Sequence, residues 1–133
     1  MTVVAIDFGT SNTAIAILDS DRDMAAPKTL CFGNISYGFE TAEGKAWLVP
    51  SLVYVSGKHE FLFGEQARSQ NQLPAQLHNR SKRLFQGSKR DIVASLRSPA
   101  REIEGNHYDA EAIAEIFLTE LWQRLVLQGI QPN

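Results

Sequence analysis

Two β-branched apolar runs, Val3 to Ile6 and Ala14 to Leu18, flank a short polar segment that holds Gly9, Thr10, Ser11, Asn12 and Thr13. Runs of that length bounded by turn residues predict a β-hairpin. Asp19 to Asp23 is polar enough for a turn, and Lys28 to Phe32 supplies a third antiparallel strand, so the chain opens as a meander. Gly33 to Lys45 carries three glycines and little periodicity and reads as a connection. Ala46 to Val55 is rich in β-formers. It is interrupted by Pro50, which has no N–H and suits a strand start or edge. Ser56 to Glu60 turns the chain into a short strand, Phe61 to Phe63.

The period then lengthens. Gly64 to Arg68 predicts the first turns of a helix, broken before Pro74. Ala75 to Phe85 permits a second helix, with Leu77, Leu84 and Phe85 available for packing and Gly87 to end it. Ser88 to His107 shows only a short helical pattern around Ile92 to Leu96, stopped by Pro99. The last element is the plainest. Asp109 is a good N-cap, Glu111 suits the positive end of a helix dipole, and Ile113, Phe117, Leu121 and Leu125 recur every four residues. Ile116, Trp122 and Val126 widen that face, and Gly129 marks the stop. So broad a stripe needs a cover. The opening meander is the expected partner, which makes Phe117 and Trp122 core residues.

With 133 residues, 44% of them hydrophobic, the chain has the length and apolar content of one ordinary domain. A formal net charge of −2 argues against a dedicated nucleic-acid binder. The single cysteine, Cys31, forms no internal disulfide and suits a reducing compartment. No signal-peptide pattern and no window of 18 apolar residues is present, so the expectation is a cytoplasmic protein without a membrane partner. His59, His78 and His107 have no metal-ligand spacing, and no GxSxG elbow occurs.

The hairpin turn carries the candidate chemistry. It lacks the GxxxxGK[ST] spacing of a P-loop and the three glycines of a dinucleotide fingerprint. Gly9 nevertheless lets an anion approach the main chain, and the amides of Thr10 to Thr13 can form a nest of donors with the hydroxyls of Thr10, Ser11 and Thr13 and the amide of Asn12 around it. Asp7 conflicts with a bare phosphate, since two like charges about 4 Å apart repel by about 4 kcal/mol at an effective dielectric of 20. A bridging Mg²⁺, held by one carboxylate and the phosphates, removes the conflict. On composition alone, a surface hairpin with polar turn residues accounts for the segment equally well.

The run Ile6-Asp7-Phe8-Gly9-Thr10-Ser11-Asn12-Thr13 resembles the first phosphate motif of the actin-like ATPase superfamily, which includes sugar kinases, actin, bacterial actin homologues and the heat shock protein 70 chaperones. The order of elements resembles the first lobe of the heat shock protein 70 ATPase domain. Val49-Pro50-Ser51-Leu52-Val53 is similar to that family's Thr-Pro-Ser stretch, with Val49 replacing the Thr. Phe63 to Arg68 is similar to its Val-Gly-x-x-Ala-Lys segment, and Ser81-Lys82-Arg83-Leu84-Phe85 resembles its Ile-Lys-Arg-Leu-Ile run, whose lysine reaches the terminal phosphate. Two departures stand out. Gln86 occupies the usual Gly position, with Gly87 one later, and residues 87–106 have no counterpart.

The resemblance implies an α/β fold with α+β segregation. This is the actin-like ATPase (ribonuclease H-like) first lobe, an antiparallel meander packed on a C-terminal helix with an inserted β/α subdomain. It divides the chain into residues 1–38 and 108–133 as lobe core and 39–107 as insertion. It implies nucleotide binding by Gly9, Thr10, Ser11, Asn12 and Thr13, a catalytic Lys82, and Asp7 as catalytic carboxylate holding Mg²⁺ through water. ATP or ADP would be the ligand, with unfolded protein clients and co-chaperones as partners of the intact chaperone. Without the resemblance, Lys82 reads as one exposed cation of the cluster Arg80, Lys82, Arg83, Lys89 and Arg90. The family's second phosphate loop, second carboxylate and adenosine pocket have no counterpart here, so the expectation is a lobe fragment, inactive alone and prone to self-association through an unpaired sheet edge. A bacterial actin-like filament ATPase, a non-enzymatic binding module and a sugar kinase are the rival readings.

Overall fold

The computed structural model describes residues 2–19, 26–72 and 82–130. The opening hairpin forms as its pattern predicts: β1 (Thr2–Phe8) pairs antiparallel with β2 (Asn12–Asp19), from Thr2 opposite Asp19 to Phe8 opposite Thr13. Side chains alternate across a strand. Val4, Ile6 and Phe8 therefore share one face with Ile17, Ile15 and Thr13, while Asp7 and Ala14 lie on the other.

The third strand of the meander is present but short. β3 (Lys28–Thr29) pairs with Ile17 and Ala16 of β2, and a 3₁₀ turn, Gly33–Ile35, follows. Gly33 to Lys45 is not a plain connection. It holds β4 (Tyr37–Thr41), which returns through a tight turn into β5 (Gly44–Pro50). Tyr37, Phe39 and Thr41 supply the β-forming alternation that the glycines obscure. β5 in turn pairs with β2 at Asn12–Pro50 and Thr13–Val49, giving the order β1-β2-β5-β4 with β3 beside β2. The expected boundary at residue 39 thus falls inside this sheet. Among the described strands, β1 has a partner on one side only.

The stretch from Ala46 to Val55 divides at Ser51 between two sheets. β6 (Leu52–Gly57) is the centre of a three-stranded sheet, flanked by β7 (Glu60–Phe63) and β8 (Leu84–Gln86). α1 (Gly64–Gln72) leaves directly from β7. The helix expected over residues 75–85 lies outside the described residues up to Ser81, and its end is corrected: Leu84 and Phe85 are strand, paired with Tyr54 and Val53. A short apolar run reads as either element, and the free edge of β6 decides it. α2 (Ser88–Val93) starts four residues earlier than the pattern around Ile92 suggests. β9 (Arg101–Ile103) and β10 (Asn106–Tyr108) form a hairpin that the pattern does not announce, turning at Glu104 and Gly105, both with positive φ. Tyr108 packs edge-on against Phe61 and Phe85, and Arg101 covers the Phe85 ring at 4.3 Å.

α3 (Ala110–Leu127) is capped by Asp109, whose Oδ1 accepts from the Ala112 N–H at 2.7 Å. Its buried stripe is Ile113, Ala114, Phe117, Leu121 and Leu125. Phe117 stacks on Phe8 at 5.9 Å, and Arg124 and Gln128 donate to the carbonyls of Phe32 and Cys31. The helix therefore covers the meander, as the stripe requires. Trp122 and Val126 are the exceptions, 48% and 40% exposed, because each sits about 100° round the helix from a buried residue, Leu121 and Leu125. The core joins Ile15, Val49, Val53 and Val55 of the strands and Ile35 of the 3₁₀ turn to this stripe. No helix among the described residues is long and apolar enough to cross a membrane.

Replacing Phe117 by Ala should cost about 3–5 kcal/mol of stability in urea unfolding. Trp122→Ala, being half exposed, should cost far less; equal losses would contradict this packing.

Candidate functional site

The β1–β2 turn is shaped by a residue distant in sequence. Ser51 donates its backbone N–H to the Ser11 carbonyl at 2.9 Å and its hydroxyl to the Gly9 carbonyl at 2.8 Å. Its Oγ also lies 2.9 Å from the Thr13 Oγ1. A serine hydroxyl has one proton. With that proton on the Gly9 carbonyl, the Thr13 hydroxyl must donate to Ser51. The carbonyls of Gly9 and Ser11 are thus both drawn onto the β5–β6 junction. In a planar trans peptide the C=O and the following N–H point in opposite directions, so the N–H groups of Thr10 and Asn12 turn away from Ser51.

Gly9 is required by proximity: a Cβ there would stand 2.2 Å from the Asn12 carbonyl oxygen. Pro50 fits for a related reason. Asn12 and Pro50 form a pair whose ladder bonds are carried by their neighbours, Ser51 N–H among them. The N–H that proline lacks would face the side where β4 has already ended, at Tyr37 opposite Leu48.

Thr10 and Ser11 line a cavity of about 530 Å³, within the range of ligand pockets (roughly 300–1,000 Å³). Its wall continues through Leu52 of β6, Arg68, Asn71 and Gln72 of α1, Leu84 and Gln86 of β8, and Gly87 and Arg90. The α1 residues follow i, i+3, i+4 spacing and so share one helix face. Among the described residues, two arginines and no carboxylate face this cavity, although the chain as a whole is net acidic. A wall of that composition suits an anion. Arg68 is held in place by Glu65 at 3.0 Å and lies 5.5 Å from the Tyr37 ring centre.

The residues singled out in the sequence are distributed unevenly. Thr10 and Ser11 reach the cavity. Asn12 accepts from the Tyr37 hydroxyl at 3.3 Å and so braces the turn. Thr13 is fully buried and engaged with Ser51, which makes it a support for the loop. Asp7 is exposed on the sheet face opposite Thr13. Lys82 is exposed and is not part of the cavity wall; its carbonyl accepts from Arg101. Among the described residues no three His, Cys, Asp or Glu side chains converge on a metal position. Asp7 supplies one carboxylate of the about six oxygen ligands that Mg²⁺ takes, so the others would have to come from water or phosphates.

A second cavity, about 440 Å³, is lined by Phe61, Phe63, Ile116, Glu115 and Glu120 among others. Its cation, Arg124, is paired with Glu120 at 2.9 Å, so it lacks the free positive charge of the first.

Sequence reasoning missed Ser51 as an anchor and Arg68, Asn71, Gln72, Gln86 and Arg90 as wall. The polar face of α1 was readable from its spacing; the approach of β8 and α2 was not. No family model matches the chain, and no curated protein matches it.

Ser51→Ala leaves the buried Thr13 hydroxyl and the Gly9 carbonyl without their partner. The expected loss is about 1–3 kcal/mol by chemical denaturation. A change below ~0.5 kcal/mol, the size of an ordinary surface substitution, would mean that the turn is held by other contacts.

Proposed function

We propose that this chain is a phosphate-gripping lobe of a heat shock protein 70-like, actin-like ATPase, with MgATP as its substrate and protein clients and co-chaperones as the partners of the chaperone. The observation that carries the reading is the β1–β2 turn. It returns as a strand, its carbonyls are tied back to Ser51, and Thr10 and Ser11 line a cavity that, among the described residues, holds two arginines and no carboxylate. The Thr10 and Ser11 hydroxyls and the Thr10 amide act as donors to phosphate oxygens. The arginines offset the charge of the polyphosphate; one such pair about 4 Å apart gains about 4 kcal/mol at an effective dielectric of 20. Mg²⁺ arrives as part of the nucleotide complex, and Asp7 reaches it through water.

A second reading follows from Lys82. Because this lysine lies outside the cavity wall, the same turn also suits a module that binds nucleotide phosphates without hydrolysing them. Binding is common to both readings and turnover separates them.

Amide NMR of the chain titrated with MgATP tests the shared part. The amides of Thr10, Ser11 and Asn12 should move first, with saturation even if affinity is only millimolar, and Mg²⁺ alone should leave them in place. Shifts confined to the cavity between β7 and α3, or none, would overturn the assignment.

A further inference from the structure

We propose that Arg90, and not Lys82, is the cation that meets the outermost phosphate of a polyphosphate bound at the β1–β2 turn; this rests on the phosphate reading above. Arg90 reaches the cavity through a backbone reversal. β8 ends at Gln86, and Gly87 takes a left-handed conformation, φ 69°, from which α2 begins. Gly is the residue that adopts those angles without strain. The reversal carries Arg90 back over the wall, with Nη2 3.8 Å from where a Gly87 Cβ would stand.

The two arginines of the wall differ in freedom. Arg68 is engaged by Glu65 and lies beside Tyr37, so its position is set before any ligand arrives. Arg90 has no ion pair or hydrogen bond among the described residues. The acid beside it in sequence, Asp91, is occupied instead by the N–H and hydroxyl of Ser98, at 3.3 and 3.2 Å. An exposed guanidinium with no partner among the described residues, in a cavity wall where those residues supply no carboxylate, keeps its full charge for an incoming anion. Its planar fork can also hold two phosphate oxygens at once, which an ammonium cannot do. Lys82 has the right charge in the wrong place, on the exposed side of the approach to β8 and absent from the wall.

The test uses the whole chain and sodium tripolyphosphate, followed by amide and arginine Nε–H NMR signals. In the wild type, Thr10, Ser11 and one arginine Nε–H should shift together. Arg90→Gln should weaken the apparent Kd by about tenfold or more, Arg90→Lys should recover part of the loss, and Lys82→Ala should change it by less than about twofold. Arg90 is exposed, so unchanged thermal unfolding of Arg90→Gln should show that the fold is intact. If Arg90→Gln binds like wild type while Thr10 and Ser11 still respond, Arg90 is not the cation and the phosphate reading stands. A larger loss for Lys82→Ala than for Arg90→Gln also overturns the assignment. If wild-type Thr10 and Ser11 do not respond at all, the phosphate reading falls and this inference with it.

Discussion

Ser51 has one hydroxyl proton, and where it goes decides the shape of the turn between β1 and β2. Donated to the Gly9 carbonyl, it forces the Thr13 hydroxyl to serve as donor in turn, and the Ser51 N–H fixes the Ser11 carbonyl beside it. Three bonds from one residue thus set the direction of two peptide planes. That residue also stands where β5 leaves one sheet and β6 enters the other. The loop is therefore coupled to the junction of the sheets and not merely to its own strands. Both Ser51 and Thr13 are buried, so the bond between them forms without competition from solvent.

The arrangement of charge follows from the same junction. Glu115 and Glu120 lie along α3, near the second cavity, while the wall beside the turn collects Arg68 and Arg90 from α1 and α2. A chain with a net charge of −2 can still present a local positive field when its acids are placed on another side. Glu65 offsets much of the Arg68 charge while fixing its position, so the field rests mainly on Arg90, and α1 is itself held close to the sheet. Gly64, at φ 55°, opens α1 where a Cβ would stand 2.3 Å from the Ile35 carbonyl.

What could be read in advance depended on how local the cause was. The β1–β2 hairpin and α3 were legible because each carries its own periodicity and its own punctuation, Gly9 in one and Asp109 with Gly129 in the other. β4 was obscured because Gly33, Gly38 and Gly44 weigh towards a loop, whereas Tyr37 and Phe39 gain their pairing only when β5 lies alongside. Leu84 and Phe85 became strand because β6 offered an edge, a tertiary preference that outranks the local one. Three-residue strands such as β9 and β10 are too short for any pattern. For the site, Thr10 and Ser11 were visible as turn residues. Thr13, by contrast, looked like its neighbours until the register placed it on the buried face. Arg90 could not be found by composition, since nothing in a run of cations says which one a left-handed glycine will direct towards a cavity.

The one-sided pairing of β1 gives this strand a gradient of motion. Its Phe8 end is clamped twice, by the ring of Phe117 and by the turn that Ser51 anchors, whereas its Thr2 end lies at the far end of the ladder, opposite Asp19. Fraying from the first residues is therefore easier than opening at Phe8, and only alternate amides of β1, those facing β2, are tied into the ladder. The β1–β2 turn thus lies at the clamped end of this strand, where Gly9 and Ser11 are fixed to Ser51, and away from the end at Thr2.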